Sequence, residues 1–157
     1  IRRASVDQNF HLKLLGPEPL STKFNIKYFK NYIIGKERAI KDLLMDQKFI
    51  SGLGNIYVNE ILFFSGIRPT KKIKKLTTFE IQKIIKFSKI IISKAITLGG
   101  SSIKDFSSSS GKKGSFQQHF SVYGKKGENC SKIKCAGKIQ KIVIANRASF
   151  FCNKCQK

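Results

Sequence analysis

The sequence is short of acidic residues: nine Asp and Glu stand against 31 Lys and Arg, which gives a formal net charge of +22. It also lacks an uninterrupted apolar run, because three lysines break the longest apolar stretch, residues 84–98, and we therefore predict no membrane span. No cysteine precedes Cys130, and the first ten residues contain no apolar run like that of a secretory signal. These absences favour an intracellular protein that binds a polyanion, most simply nucleic acid.

The basic excess has a second explanation. Only five of the 31 basic residues are arginines, and the chain is rich in Ile, Asn and Phe, which is typical of AT-rich coding. The placement of charge is therefore more informative than its total: residues 107–157 carry eleven basic residues and one acid, Glu128. With 157 residues and 41% apolar content, the chain is long enough to bury the core of one or two compact domains.

All four cysteines lie in the last 28 residues, as two pairs separated by sixteen residues. Cys130 and Cys135 form the first pair, and Cys152 and Cys155 the second. This spacing predicts one tetrahedral, all-thiolate zinc site of the structural kind, whose binding energy folds a segment too short for its own core. An iron centre, a pair of disulfides or incidental thiols are the alternatives.

Apolar periodicity predicts four helices. The expected N-terminal signals are Ser21 for the first helix, Asn55 for the third, and a capping box of Thr77 and Glu80 for the fourth. Glycines at positions 52 and 54 predict a tight turn before the third helix. The four ranges are 22–33, 36–45, 55–65 and 77–99.

The C-terminal region has the alternation of short strands. FSVYG (120–124) is predicted as one strand, and IQKIVIANRASFF (139–151) as a hairpin that turns near Asn146 and Arg147. Residues 99–114 form a Ser/Gly/Lys loop without periodicity. The predicted fold class is mainly α with a small β part: a helical region over 21–99 and a metal-clipped β region over 119–157.

Two places suit phosphate binding. After the glycine turn, backbone N–H groups at a helix N-terminus and the side chain of Asn55 can hold a phosphate, and Lys36, Arg38 and Lys41 on the preceding helix favour this reading. Arg147 lies at the predicted hairpin tip, and its planar guanidinium can donate two hydrogen bonds to one phosphate. The plainer alternatives are a helix cap for Asn55 and an exposed turn residue for Arg147.

Four motifs occur in order: LLMDQKFISGLGNIYVNEILF (43–63), GGSSIKDF (99–106), VYGKKGENC (122–130) and NRASFFCNKCQK (146–157), preceded by LGPEPLS (15–21). Together they closely resemble the C-terminal half of bacterial formamidopyrimidine-DNA glycosylases, base-excision repair enzymes that remove oxidised purines and nick the abasic strand. The resemblance implies a helix-two-turn-helix domain (21–99), a loop that closes over a flipped-out base (100–118) and a zinc-finger β-hairpin (119–157). Residues 1–20 then correspond to the tail of a catalytic domain and a linker.

The resemblance also implies roles. Asn55 contacts phosphates beside the lesion, and Arg147 grips the same region and donates a proton in δ-elimination. Further expected DNA contacts are Arg2, Arg3, Lys36, Arg38 and Lys41. The zinc ligands are Cys130, Cys135, Cys152 and Cys155. The implied partner is duplex DNA with oxidised bases or abasic sites, bound by a monomer in the bacterial cytoplasm, in association with the nucleoid.

The chain departs from the family in lacking an N-terminal proline nucleophile with its neighbouring glutamate. The chemistry needs an amine that forms a Schiff base with the sugar, so we expect this chain to be a fragment that is inactive alone. The alternatives are a non-catalytic module for damaged DNA, an endonuclease VIII-type glycosylase for oxidised pyrimidines, and an RNA-binding zinc-ribbon protein.

Overall fold

The structure, a computed structural model, describes residues 14–99 and 120–157. In these two ranges the chain forms four α-helices, one 3-10 turn and one antiparallel hairpin. The elements are α1 (Ile26–Ile33), α2 (Ile40–Leu44), α3 (Asn55–Ser65), the 3-10 turn (Ile73–Lys75), α4 (Thr78–Thr97), β1 (Ile139–Ile144) and β2 (Arg147–Cys152). The predicted fold class, mainly α with a small β part, is confirmed.

Helix α1 begins four residues later than predicted, and its cap is Asn25. The Asn25 carboxamide oxygen accepts from the Tyr28 N–H at 2.9 Å, whereas the Ser21 hydroxyl accepts from Lys23 N–H within a preceding turn. Both residue types favour the N-cap. Asn25 takes that position because Phe24 is fully buried just before it and fixes where the helix enters the core.

Helix α2 is only five residues long, because the chain before it pairs with another segment. Ala39 forms an antiparallel bridge with Lys72, and the N–H of Ile73 donates to the carbonyl of Arg38 at 2.9 Å. These backbone bonds hold residues 38–39 extended, so the helix predicted from residue 36 begins at Ile40.

Helix α3 runs through the middle of the molecule. Seven of its eleven residues are buried, namely all of those from Val58 to Ser65 except Phe64, so it lacks the broad solvated face of a surface helix. Gly54, rather than Asn55, is its N-cap residue. Gly66 ends it in the left-handed conformation at φ 72°, which glycine adopts without steric cost. Helix α4 has the predicted capping box of Thr77 and Glu80.

The hairpin is short and its register is fixed. Ile139 pairs with Cys152 and Ile144 pairs with Arg147, which leaves Ala145 and Asn146 as the two turn residues, one position before the predicted turn. Both have positive φ, 50° and 65°, as a type I′ turn requires. The tip is therefore a tight two-residue turn.

Two apolar clusters meet along α3. The larger one fills the space between the helices, and the smaller one joins Phe63 of α3 to Val122, Ile139 and Phe150 of the C-terminal region. Phe63 is fully buried, and burying such a side chain contributes about 1.5–3 kcal/mol. The hairpin is thus packed directly on the helical region.

Residues 120–124 do not form the predicted strand. Their backbone N–H groups bind a carboxylate instead: Ser121, Val122 and Tyr123 donate to the two carboxylate oxygens of Glu60 at 2.7–2.9 Å. Glu60 is 1% exposed on α3. Burial raises its pKa, and the three N–H bonds act in the opposite direction. The buried Glu60 carboxylate thus accepts the backbone hydrogen bonds that a partner strand would accept in a sheet.

None of the helices in the described ranges is both long enough and apolar enough to cross a membrane.

Candidate nucleic-acid interface

Arg147 stands at the tip of the hairpin, as the first residue of β2. Its side chain is exposed, and it follows a type I′ turn whose two residues have little conformational freedom. Among the described residues, no carboxylate pairs with its guanidinium. Within the described part of the chain, Arg147 is therefore an unpaired cation on a well-defined backbone.

The carbonyl of Ala148, the next residue, connects this tip to the helices. It accepts from Lys41 Nζ at 2.9 Å and from Asn55 Nδ2 at 3.0 Å, with Asn59 Nδ2 further away at 3.4 Å. Asn59 also accepts from the N–H of Phe150 at 2.7 Å. Side chains of α2 and α3 therefore hold the backbone on the C-terminal side of Arg147.

Lys41 is buried: only 1% of the residue is exposed. Its ammonium also donates to the Ser149 hydroxyl at 2.5 Å. Burial, with a smaller effect of the positive charge on Arg147, lowers the pKa of Lys41 to about 8. A direct DNA contact at Lys41 requires an accessible ammonium, and the structure places that ammonium inside, behind Arg147.

Asn55 is the first residue of α3, and its side chain faces the hairpin. Its carboxamide oxygen is buried and has no hydrogen-bond partner among the described residues. No side chain caps the N-terminus of α3 in the described part of the chain. This N-terminus is next to the Arg147 hairpin through the bond of Asn55 to Ala148, and free N–H groups at a helix N-terminus attract anions.

Arg38 is bound to two carboxylates. Its guanidinium donates to Asp42 Oδ2 and to Asp46 Oδ2, both at 2.7 Å, and to the Asp42 carbonyl at 3.1 Å. Its pKa is raised, first by the hydrogen bond to Asp42. The positive charge of Arg38 is thus neutralised by its neighbours in this structure.

Lys36 points back onto α1. Its ammonium donates to the Tyr32 carbonyl at 2.7 Å and lies 4.6 Å from the centroid of the Tyr32 ring. Arg2 and Arg3, together with the loop 100–118, lie outside the described residues, so these expected DNA contacts stay predictions.

A cleft of about 230 Å³ separates α2 from the hairpin tip. Arg147 lines the cleft on the hairpin side, and Arg38 lines it on the other side together with its partners Asp42 and Asp46. The cleft is lined by Arg38, Lys41, Asp42, Met45, Asp46, Ile144, Ala145 and Arg147. Lys41, Asn55 and Arg147 therefore converge on one region, although only Arg147 presents its charge to solvent.

The four cysteine sulfurs form one cluster below the hairpin, within 4.8 Å of one another. The distances are 3.8 Å from Cys130 Sγ to Cys155 Sγ and 3.6 Å from Cys135 Sγ to Cys152 Sγ. Zinc–sulfur bonds of about 2.3 Å in a tetrahedron separate the sulfurs by about 3.8 Å, whereas a disulfide bond is about 2.05 Å. The donor set therefore fits one four-coordinate metal ion and contains no disulfide.

Backbone N–H groups surround this sulfur cluster. Gly137 N–H donates to Cys135 Sγ, and Lys154 and Cys155 N–H donate to Cys152 Sγ, at 3.4–3.5 Å. Burial opposes ionisation of Cys152, but the N–H bonds of Cys155 and Lys154, together with the thiols of Cys155 and Cys135, lower its pKa to about 7. The thiolate is the form that ligates a metal.

Sequence reasoning missed Asn59 and Glu60, which connect α3 to the C-terminal region. Both are 1% exposed, and both interrupt the apolar run IYVNEILFF. That interruption was the available signal, since a polar residue inside a buried helix needs a partner. Gln156, fully buried between Cys152 N–H and the Ile67 carbonyl, was missed in the same way.

Residues 15–107 match the family described as the Formamidopyrimidine-DNA glycosylase H2TH domain. The chain is 46% identical over 150 residues to the formamidopyrimidine-DNA glycosylase of Haemophilus influenzae, covering 95% of this chain and 55% of that protein. It is 42% identical over 154 residues to the protein of the same name from Hydrogenovibrio crunogenus, covering 98% and 54%. The chain thus spans about half the length of the curated relatives it matches.

Solved structures give the same result. A complex of a Lactococcus lactis FPG mutant with Fapy-dG containing DNA superposes with a TM-score of 0.85 at 39% identity, over 98% of this chain and 56% of that one. The Thermus thermophilus MutM (FPG) protein superposes with a TM-score of 0.82 at 35% identity, over 92% and 55%. The described fold is therefore similar to the corresponding half of these proteins.

Proposed function

The chain belongs to the formamidopyrimidine-DNA glycosylase helix-two-turn-helix family, and from this premise we propose that it is the DNA-gripping portion of a bifunctional glycosylase and abasic-site lyase. The substrate is duplex DNA carrying oxidised purines or abasic sites. The relatives and structures reported above carry the name of the purine enzyme, which favours it over an endonuclease VIII-type enzyme. The matching family domain also disfavours an RNA-binding zinc ribbon.

One observation carries the proposal. Arg147 is exposed at a tight hairpin tip, and the adjacent Ala148 carbonyl is bound by Lys41 and by Asn55 at the N-terminus of α3. A guanidinium and a helix N-terminus are both phosphate-binding groups. Their connection through one backbone carbonyl fixes their relative position, so that both can contact one stretch of DNA backbone without reorganisation.

Arg147 has two proposed roles. Its guanidinium makes charged hydrogen bonds with phosphates beside the lesion, and, by family resemblance, it donates the proton in the δ-elimination step. Lys41 is a positioning residue in this scheme, because its buried ammonium holds the Ala148 carbonyl. Lys36 and Arg38 reach DNA only if they leave Tyr32 and the two aspartates, to which they are bound in this structure.

Zinc is the proposed occupant of the cysteine cluster. All four positions are filled by protein thiolates, so the ion is structural and leaves no site for a catalytic water. Its task is to fold residues 130–155 and so to hold the base of the hairpin that carries Arg147. We expect the protein to act as a monomer on chromosomal DNA, in the bacterial cytoplasm at the nucleoid.

Base removal needs an amine that attacks the sugar, and the family assigns this role to a proline of the half that these residues do not match. A flipped-out nucleotide is required because the sugar of a stacked one is out of reach. We therefore propose that this chain supplies binding and strand positioning, and that it does not form the covalent intermediate by itself.

Fluorescence anisotropy with labelled duplexes tests the binding role. The zinc-loaded chain should bind a duplex containing a tetrahydrofuran abasic analogue more tightly than the same undamaged duplex, and the affinity should fall steeply with salt. Equal affinity for both duplexes would reduce the role to non-specific binding. Borohydride trapping on an abasic duplex should give no covalent product, and a strong trapped band would show that a nucleophile is present in the chain.

A further inference from the structure

A second surface, remote from Arg147, lies on the outer face of α4. Phe79, Lys83, Lys86 and Phe87 recur at the spacing that places side chains on one helical face. Together with Phe64, the penultimate residue of α3, they line an open groove of about 390 Å³. Phe79 is 64% exposed and Phe64 is 38% exposed. We call these five residues the α4 groove.

The charge of the α4 groove is of one sign. Lys83 Nζ lies 4.7 Å from the centroid of the Phe79 ring, and Lys86 Nζ lies 5.6 Å from the centroid of the Phe87 ring. Among the residues that the structure describes, none that lines the groove is acidic. The nearby Glu80 carboxylate binds Lys71 at 2.7 Å. The two ammonium groups of the groove therefore have aromatic rings, and no described carboxylate, as neighbours.

We propose that the α4 groove is a docking site for an acidic segment of another protein, with carboxylates flanking one or two aromatic or large aliphatic side chains. The rings of the groove offer apolar area to such an anchor. The lysines offer two charges to the flanking carboxylates. Exposed apolar area bordered by charge is typical of protein interaction sites, and complementary charge fixes which segments are accepted.

Single-stranded nucleic acid is the main competitor, since it also combines negative charge with flat apolar groups. Its bases bind by stacking on open ring faces. In the α4 groove part of the ring surface already has neighbours: Phe64 and Phe87 are stacked on each other at 28° with their centroids 6.0 Å apart, and lysine ammonium groups lie over Phe79 and Phe87. What remains accessible favours the insertion of a side chain over the stacking of a base.

The α4 groove and the Arg147 surface are separate. Asn55 begins α3 beside the hairpin, and Phe64 lies nine residues later, about 13 Å along the helix axis. The groove and the cleft beside Arg147 therefore share no lining residue, and we expect acidic peptide and duplex DNA to bind independently. The inference does not depend on the proposed DNA-repair function, since it rests on α4 and the end of α3 alone.

The test is anisotropy with a fluorescein-labelled peptide in which aspartates flank two phenylalanines. The zinc-loaded chain should bind this peptide, and a control peptide with serines in place of the phenylalanines should bind at least about tenfold more weakly. Phe79→Ala should weaken binding about tenfold. The matched control is Ile96→Ala, which removes an equally exposed apolar side chain (66%) of the same helix outside the groove.

A second pair of variants tests the charge. The double change Lys83→Glu and Lys86→Glu should abolish peptide binding, whereas Lys72→Glu with Lys75→Glu, the same charge change outside the groove, should alter it less than about threefold. Neither double variant alters the proposed DNA-binding surface. Any change in the affinity for the abasic-analogue duplex should therefore come only from the altered net charge, and it should shrink as the salt concentration rises. Circular dichroism confirms that each variant keeps its helices.

Three outcomes would overturn the proposal. Equal binding of the phenylalanine and serine peptides would mean that the net charge alone attracts them. Binding of oligothymidylate that Phe79→Ala abolishes, without peptide binding, would assign the groove to single-stranded nucleic acid. Concentration-dependent dimerisation that the same variant abolishes would assign it to a second copy of this chain.

Discussion

The ammonium of Lys41 lies 2.9 Å from the carbonyl oxygen of Ala148, directly behind the guanidinium-bearing residue Arg147. A buried cation thus supports the backbone of an exposed one. The arrangement has a cost, because two positive groups are close together and one of them is desolvated. Its result is that the direction of Arg147 depends on α2 as well as on the turn of the hairpin.

Arg147→Ala should weaken duplex binding by about 1–3 kcal/mol, because a charged hydrogen bond to phosphate is lost. Removing one phosphate contact should also lower the slope of log affinity against log salt by about one. Arg147→Lys should recover the salt slope but only part of the affinity, since an ammonium cannot make the bidentate contact. Unchanged affinity in the alanine variant would refute the assigned role.

Lys41→Met should weaken duplex binding about tenfold with little change in the salt slope, because the ammonium contacts Ala148 and Ser149 and not a phosphate. Methionine has a similar length and no donor. Lys75→Met, an exposed lysine outside the site, is the matched control. If Lys41→Met lowers the salt slope as much as Arg147→Ala does, then Lys41 contacts DNA directly and the buried position is not the binding one.

The burial of Lys41 should also appear in the pH dependence of stability. Its pKa falls from 10.5 to about 8 on folding, so the unfolded chain binds more protons between these values. The free energy of unfolding should therefore rise as pH increases from about 8 to about 10.5, by at most about 3 kcal/mol from this group. The neutral amine still has two N–H donors for its two acceptors.

Urea titrations of the zinc-loaded chain across this pH range measure the effect. The other lysines also lose charge there, so the quantity of interest is the difference between the parent chain and Lys41→Met. The variant should have the flatter profile, and Lys75→Met should keep the profile of the parent. Parallel profiles for all three proteins would show that the pKa of Lys41 is not shifted by folding.

The sequence predicted those parts of the site whose signals are local. The two members of each cysteine pair and the capping box of Thr77 and Glu80 lie within a few residues of each other, whereas the DNA-binding roles of Asn55 and Arg147 stay predictions. Lys41 was predicted as a DNA contact because it is spaced along the second predicted helix with Lys36 and Arg38. Its acceptors, Ala148 and Ser149, are more than a hundred residues later, and no local pattern records such a distant partner.

The same limit explains the missed strand. The segment FSVYG alternates between apolar and polar residues as a strand does. Alternation does not show, however, which groups accept hydrogen bonds from its backbone N–H groups. Here Glu60, 61 to 63 positions earlier in the chain, accepts its N–H bonds. The predicted start of α2 was wrong for a related reason. The bridge between Ala39 and Lys72 holds the residue before Ile40 in an extended conformation, so the helix starts later than its sequence suggests. Tertiary hydrogen bonds overrode local propensity in each case.

Glu60→Gln should destabilise the chain by about 2–4 kcal/mol, because the carboxamide nitrogen then faces backbone N–H donors in a buried site. The readout is the urea midpoint at constant pH and zinc. The matched control is Glu37→Gln, whose side chain is 72% exposed and pairs with Lys74 at the surface; its effect should stay within about 1 kcal/mol. Similar midpoints for both variants would mean that Glu60 does not hold residues 121–123.

Removal of the metal should unfold the hairpin and leave most of the helical core. The helices share an apolar cluster that contains no cysteine, whereas two cysteines are part of the smaller cluster with Val122 and Ile139. A strong chelator should therefore broaden the amide signals of β1 and β2 in NMR spectra and lower duplex affinity at least as much as Arg147→Ala does.

Cys135→Ser should reproduce the effect of the chelator in part, because a hydroxyl is a poor zinc ligand. Ser131→Ala, beside the cysteine pair but without a ligand atom, is the matched control and should behave as the parent chain. Re-addition of one equivalent of zinc should restore both the hairpin signals and the duplex affinity of the chelated parent. The metal-dependent hairpin would be contradicted if the β1 and β2 amides of the metal-free chain kept their chemical-shift dispersion and their protection from exchange. The bonds of Lys41, Asn55 and Asn59 to Ala148 would then suffice to hold Arg147 in place.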